Sequence, residues 1–513
     1  MADYGVGSWP ARRARIDPGK TALSQGTRGL TYAELADRVA RLSGALAGCG
    51  VRRGDRVAYL GVNDIATFET LFAAGRLGAV FVPLSTRLTA AELSVLLDDA
   101  APVVLVHGPD QADVVSAAGP ARHGVEVIVP LADPGPRGYP ALLAGAARPR
   151  GDWLSVDGAG VSLDDDAVIL YTSGTTGRPK GAVLTHGNLT FNMINQLAHA
   201  DVCSTDVALC AAPLFHAAGL GQVSLPVFFK GGSVVVAPRF DPGWMLAEIS
   251  RRKVTSFSAV PTMLQMLCDH PDFTGTDLSS LRYVIYGGSM VTERVAVAWQ
   301  RRGVQILQGY GMTEAAPGVC LATPAGARDK PVSMGVPHFF TDIKIAPVDE
   351  RQTPDVGELL VRGLNVYRGY WNRPGETAAA LAGGWFRSGD LVRTDSDGWG
   401  YVVDRLKDMY ITGGENVYPA EVEAAISKLP GVAGCAVIGI PDQQWGEAGQ
   451  AYVLTTGQPA WTGDGLRQAL REHLAAFKIP KHVRFVDDLP RTASGKVRKQ
   501  DLRAHEARGG PAD

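Results

Sequence analysis

The chain has 513 residues, well beyond the roughly 100–200 of one domain, so at least two domains with large buried cores are expected. Hydrophobic residues make up 46% and charged residues 20%, ordinary for a soluble globular protein, and 50 basic against 52 acidic residues leave a net charge of -2. That balance gives no whole-chain reason to expect nucleic-acid binding.

In chain order, Thr31-Tyr32-Ala33-Glu34 reads as a capping box opening a helix to Leu46. Arg56–Leu60 reads as a strand, a helix follows through Phe72 and Ala74, and Ala79–Leu84 is again a strand. Thr89-Ala90-Ala91-Glu92 repeats the capping box before another helix, and Val103–Val106 is strand-like. Short β-rich runs between helices predict α/β layers with largely parallel sheets. Residues 109–165, rich in Ala, Gly, Pro and Asp, read as loop-heavy. Ala167–Tyr171 is a strand that runs into a glycine-rich loop, and further strands are predicted at Ser233–Ala237, Ser256–Val260, Tyr283–Tyr286 and Gln305–Leu307. From 340 to 403 the pattern becomes β-rich, with strands at Asp342–Ala346, Glu358–Arg362 and Gly400–Val403. A small α+β unit then begins near Pro419: helix Ala420–Leu429, strands Gly434–Ile440 and Gln450–Thr455, helix Asp464–Ala475, strand Val483–Val486 and a polar tail.

No two of the six cysteines form a Cys-x-x-Cys pair, so buried free thiols in a reducing cytoplasm are expected. The N-terminus lacks the apolar core of a signal peptide, and no run of about 18 apolar residues marks a membrane span. A cytoplasmic location is the expectation; contact with a membrane surface and a homodimer stay open.

The most informative segment is Tyr171-Thr172-Ser173-Gly174-Thr175-Thr176-Gly177-Arg178-Pro179-Lys180-Gly181. Glycines let the backbone approach a ligand closely, hydroxyls and amides can donate to phosphate oxygens, and Lys180 adds positive charge. It is not a Walker A loop, because Arg-Pro-Lys-Gly follows Gly177 where that pattern requires Gly-Lys-Ser/Thr. A flexible surface turn would explain the glycines alone, but not the whole string.

With this loop go Pro213-Leu214-Phe215-His216, Gln308-Gly309-Tyr310-Gly311-Met312-Thr313-Glu314 and Tyr370-Trp371-Asn372-Arg373-Pro374. Gly384-Trp385-Phe386-Arg387-Ser388-Gly389-Asp390, Asp404-Arg405-Leu406-Lys407-Asp408, Gly413-Gly414-Glu415-Asn416-Val417-Tyr418-Pro419 and Thr492-Ala493-Ser494-Gly495-Lys496 continue the series. From roughly residue 28 to residue 500, these strings and their order resemble the adenylate-forming superfamily of acyl-CoA synthetases, adenylation domains and firefly luciferase. Within it the chain looks most like bacterial fatty-acyl-CoA ligases.

The resemblance implies a large N-terminal domain of layered α/β sheets with a β-rich subdomain (1–403), a hinge (404–407) and a small mobile α+β C-terminal domain (408–513). It implies an acid–thiol ligase that uses ATP, Mg²⁺ and coenzyme A. A carboxylate attacks the α-phosphorus, pyrophosphate leaves, and the acyl group of the adenylate passes to a thiol. Thr172, Ser173, Gly174, Thr175, Thr176, Gly177 and Lys180 would hold phosphates. Gly287, Gly288, Ser289, Gln308, Gly309, Tyr310, Gly311 and Met312 would line the adenine side, with Tyr310 stacking. Many relatives carry Ala-Pro after the two glycines, where this chain has Ser289-Met290. Asp390 would accept the ribose hydroxyls with support from Arg405, Thr313 would contact the α-phosphate, and Glu314 would hold Mg²⁺. Lys496 would stabilise charge during adenylation, a task of positioning and electrostatics. Lys407 would be the hinge, Gly413 and Gly414 would border the pantetheine tunnel of CoA, and Trp385 would be a gate.

His216, Ala217, Gly219, Leu220, Val260, Gly288, Gly311, Met312 and Val319 would wall the acyl pocket. They are small or apolar, so a second substrate carboxylate would lack the cation it needs when buried. A medium or long fatty acid leads, and an aryl or cyclic acid follows. An acyl carrier protein in place of CoA, and a non-catalytic nucleotide-binding protein, are the rival readings.

Overall fold

The structure is a computed structural model and describes residues 3–145, 160–172, 179–288, 291–330, 333–348, 356–412, 415–457, 460–491 and 496–507. Its contacts divide the chain into two compact units: Met1–Asp342 with Val361–Phe386, and Ile343–Leu360 with Arg387–Asp513. This division groups residues 343–360 and 387–403 with the C-terminal chain.

The first unit holds two sheets. One has the strand order Gly369–Tyr370, Lys180–Thr185, Asp166–Thr172, Val80–Leu84, Arg56–Leu60, Val104–His107, Val127–Pro130. Its pairs from Asp166–Thr172 to Val127–Pro130 are parallel, whereas Asp166–Thr172 and Lys180–Thr185 are antiparallel. The glycine-rich loop therefore joins two antiparallel strands. The second sheet runs Val336–Pro337, Gly318–Leu321, Ile306–Gly311, Tyr283–Tyr286, Ser256–Ala259, Val207–Cys210, Ser233–Val236, Thr21–Gln25, Arg28–Thr31. Its inner strands are parallel, and helices that return each strand to the same end bury Leu246, Ile249, Leu264 and Trp299 against Phe257 and Val284.

Local chemistry explains the helix starts. Both expected capping boxes form: Thr31 and Glu34 bond reciprocally at the head of Tyr32–Gly48, and Thr89 and Glu92 do so before Ala90–Ala100. Each satisfies two backbone donors that a helix end leaves unmatched. The stretch 109–165 holds more structure than its composition suggests: helices Ala112–Ala118 and Tyr139–Gly145, and strand Val127–Pro130 closing the sheet edge. All six cysteines are free, but only Cys210 and Cys320 are buried. No helix among the described residues is long and apolar enough to cross a membrane.

The second unit takes in most of one sheet and all of another. One has the order Thr341–Ala346, Val356–Gly363, Phe386–Thr394, Gly400–Arg405. The other orders Glu415–Val417, Tyr410–Thr412, Gly446–Thr455 and Val432–Asp442, with His482–Phe485 added parallel to Gly446–Thr455. Helices Pro419–Ile426 and Gly463–Leu470 cover one side through Val422, Ile426, Leu466 and Leu470. The helix expected to reach Ala475 stops at Leu470. The polar tail is a helix, Lys499–Ala507, which buries Leu502 against Ile438 and Tyr452.

Candidate active site

In the first unit the candidate residues gather at strand ends. Tyr286 and Gln308 are partners across the parallel strands Tyr283–Tyr286 and Ile306–Gly311, and the Tyr286 hydroxyl donates to Gln308 Oε1 at 3.2 Å. Gly287 and Gly288 follow; Gly288 has φ 93°, a conformation that favours glycine. Tyr310 faces Cys320 across the antiparallel pair with Gly318–Leu321. A Cβ on Gly309 would lie 2.9 Å from Gln222 Nε2, so the Gln222 amide lies against this strand end. On Gly311 a Cβ would lie 1.8 Å from the Pro317 carbonyl oxygen, which accepts from Met312 N at 2.9 Å. Only glycine allows the backbone to close on itself there.

Thr313 and Glu314 occupy one 3₁₀ turn just beyond. Buried amides hold its flanks. Asn365 donates to the carbonyl oxygens of Ala315 at 2.9 Å and Gly318 at 2.6 Å, and accepts from the Thr341 hydroxyl at 2.8 Å. Asn192 donates to the Gly221 carbonyl at 2.8 Å and accepts from Gly318 N at 3.2 Å. One helix residue thereby ties the segment carrying His216, Ala217, Gly219 and Leu220 to the strand carrying Val319. Ala217, Leu220 and Val319 are buried, and Val260 and His216 are partly exposed. The ring of His216 stands 4.7 Å from that of Phe215.

Thr172 and Lys180 face each other in the antiparallel hairpin, and the Thr172 hydroxyl donates to the Lys180 carbonyl at 3.4 Å. Ser173, Gly174, Thr175, Thr176 and Gly177 lie outside the described residues, as does Ser289. The Lys180 ammonium forms an ion pair with Glu376 and sits 5.4 Å from the centre of the Tyr370 ring. Strand Gly369–Tyr370 brings that ring in by pairing Tyr370 with Ala182. The Tyr370 hydroxyl donates to Glu314 Oε1 at 2.8 Å, and Tyr367 N donates to the Glu314 carbonyl at 2.7 Å. Burial, and next the Glu314 carboxylate, hold the Tyr370 phenol well above its ordinary pKa. Lys180, Tyr370 and Glu314 thus form one polar chain across some 190 residues of sequence separation. Tyr370 belongs to a recognisable string, yet neither it nor Glu376 is given a role by sequence reasoning. Trp385 is partly buried with the Arg362 guanidinium 4.4 Å over its ring.

The second unit has its own cluster. Asp390 and Arg405 are partners across strands Phe386–Thr394 and Gly400–Arg405, and Arg405 Nε lies 3.0 Å from Asp390 Oδ1. Asp390 is 6% exposed, so a buried carboxylate is held in one orientation by a charged, directional contact. Lys496 is exposed at its surface. Its pKa is nonetheless lowered, first by loss of hydration among neighbouring groups and then by Arg405, with Asp390 opposing. Lys407 is lowered in the same way, by partial desolvation and Arg405. Around Lys407, Leu406 N donates to the Gly389 carbonyl at 2.8 Å, and Arg503 pairs with Asp408 at 3.0 Å. Gly413 and Gly414 lie outside the described residues.

Among the described residues no group of three or more His, Cys, Asp and Glu could hold a metal. Mg²⁺ needs less, because it takes one or two carboxylates and completes its shell with phosphate oxygens and water. The partly exposed carboxylate of Glu314, oriented by Tyr370, fits that modest demand.

The chain matches the model of the AMP-binding enzyme family over residues 10–371 and that of the AMP-binding enzyme C-terminal domain over 421–496. Feruloyl-CoA synthase of Amycolatopsis sp is 49% identical over 507 residues, 98% of this chain and 99% of that protein. A long-chain-fatty-acid–CoA ligase of Mycobacterium tuberculosis is 34% identical over 516 residues, 97% of this chain and 98% of that protein. Among solved structures, ATP-bound MatB from Rhodopseudomonas palustris matches with a TM-score of 0.88 at 33% identity, covering 98% of this chain and 99% of that one.

Proposed function

Because the chain belongs to the AMP-binding enzyme family and is an ATP-dependent acid–thiol ligase of the acyl-CoA synthetase branch, we propose that its acid is an aryl carboxylic acid, converted through an acyl-adenylate to an acyl-CoA. The observation carrying this choice is the 49% identity, over 98% of the chain, to a protein named for feruloyl transfer, against 34% to one named for long-chain fatty acids. This reading puts an aryl acid ahead of a medium or long fatty acid. The small and apolar acid-side residues suit a flat ring. No Lys or Arg stands among those residues, which leaves a second carboxylate without a partner.

The proposed division of labour is the one the family's motifs imply. The loop from Thr172 to Lys180 takes the phosphates, and Tyr310 stacks the adenine beside Gly287, Gly288 and Gln308. Thr313 contacts the α-phosphate. Glu314 would hold Mg²⁺, whose charge would offset that of the phosphates when bound. Asp390, aimed by Arg405, accepts from the ribose hydroxyls. Lys496 supplies positive charge as the carboxylate oxygen meets the α-phosphorus and pyrophosphate leaves. Lys407 serves as the hinge between half-reactions, and Gly413 and Gly414 border the path of the CoA arm.

The test is a panel of hydroxycinnamic, benzoic and medium- to long-chain fatty acids, read by pyrophosphate release with and without CoA. Hydroxycinnamic acids should give the highest kcat/KM, and acyl-CoA should form only when CoA is present. A panel led by fatty acids would overturn the choice of acid. Loading of an acyl carrier protein in preference to CoA would overturn the choice of acceptor.

A further inference from the structure

Lys180 is the charged residue at the foot of the phosphate loop, yet its ammonium already has a carboxylate on it. Glu376 projects from the first turn of helix Pro374–Ala380 and places Oε2 on Lys180. Its other oxygen lies 3.9 Å from Arg373 Nε, and Arg373 is held in turn by Asp99 at 3.0 Å. The Lys180 side chain is 17% exposed and that of Glu376 is 42% exposed. The ammonium is therefore sandwiched between a carboxylate and the face of Tyr370, whose hydroxyl leads on to Glu314.

We propose that Glu376 is a resident counterion for Lys180, displaced by the outer phosphates of ATP and restored when pyrophosphate leaves. The proposal rests on the reading of residues 172–180 as the phosphate loop. An ion pair half open to solvent is weak and exchanges readily, and a polyphosphate brings several charges where Glu376 brings one. The carboxylate keeps an empty site neutral, and it sets a limit on how firmly β- and γ-phosphates are held. Recapture of Lys180 by Glu376 also favours the departure of pyrophosphate, so Glu376 trades ground-state affinity for turnover. AMP carries none of the phosphates involved and should not sense Glu376.

The experiment is calorimetric titration of the full chain and its Glu376→Gln variant with ATP, inorganic pyrophosphate and AMP. The variant should bind ATP and pyrophosphate about three- to tenfold more tightly, with AMP within about twofold of the parent, and the gain should shrink as salt is raised. In a Lys180→Ala background the Glu376→Gln change should have no effect on ATP. Unchanged or weaker binding of ATP and pyrophosphate, an equal shift for AMP, or a gain that survives Lys180→Ala would each overturn the counterion role. If the parent chain itself neither binds ATP nor releases pyrophosphate with any acid, the ligase reading fails instead.

Discussion

Lys496 stands between opposite influences: the loss of hydration and then Arg405 lower its pKa, and Asp390 raises it. The first two win, so its charge disappears at a lower pH than that of an ordinary lysine. If that charge serves adenylation, the rate of acyl-AMP formation should fall on the alkaline side as Lys496 deprotonates. Lys496→Arg, which stays protonated, should move that limb to higher pH. Lys496→Ala should slow adenylate formation by about a hundredfold to a thousandfold while sparing thiol transfer from supplied acyl-AMP. Single-turnover rates of the two half-reactions against pH provide the check; equal damage to both, or an arginine profile that overlays the parent, would remove Lys496 from this role. The residue is readable from its motif. Its setting is not, because Asp390 and Arg405, which pair with each other across two strands, lie about 90–106 positions earlier in the chain.

The turn that presents Thr313 and Glu314 has little of its own to hold it, being a single 3₁₀ turn. Its stability comes from outside, through the Asn365 amide on Ala315 and Gly318 and the Asn192 amide on Gly318 and Gly221. Asn365→Ala leaves two buried carbonyls and the Thr341 hydroxyl without this partner, which should cost about 2–4 kcal/mol. Denaturant unfolding should show that loss, and the KM for ATP should rise severalfold as the turn loosens. Unaltered stability would mean that the turn is held by other contacts. Strands and capped helices were legible where the chemistry is local: Thr31 with Glu34, Thr89 with Glu92, and the Val- and Ile-rich runs. The helix Lys499–Ala507 was not, because it buries little beyond Leu502 and its pattern reads as polar. Strand Val127–Pro130 was hidden by its short length and by Gly- and Pro-rich flanks.

The proposed joint between the two half-reactions is Lys407, about which the small domain would turn. Lys407→Pro fixes φ near -65° and restrains Leu406 as well, so the backbone change needed for rotation is blocked. Adenylate formation and thiol transfer should then be impaired unequally, by tenfold or more for one of them when each is followed alone by stopped flow. Equal rates to the parent in both would remove Lys407 from the hinge.

Long motifs in a set order made the family and the reaction type readable before any coordinate was known, since phosphate chemistry demands particular residue types at tight local spacing. The acid was not readable in this way. Its pocket candidates come from His216–Leu220, Val260 and 311–319, stretches far apart in the chain that no local spacing links. The same holds for Gln222 against Gly309 and for Glu376 on Lys180. A local motif records which groups the chemistry needs. Which neighbours restrain those groups depends on pairing between residues far apart in the chain, and that is a property of the folded arrangement alone.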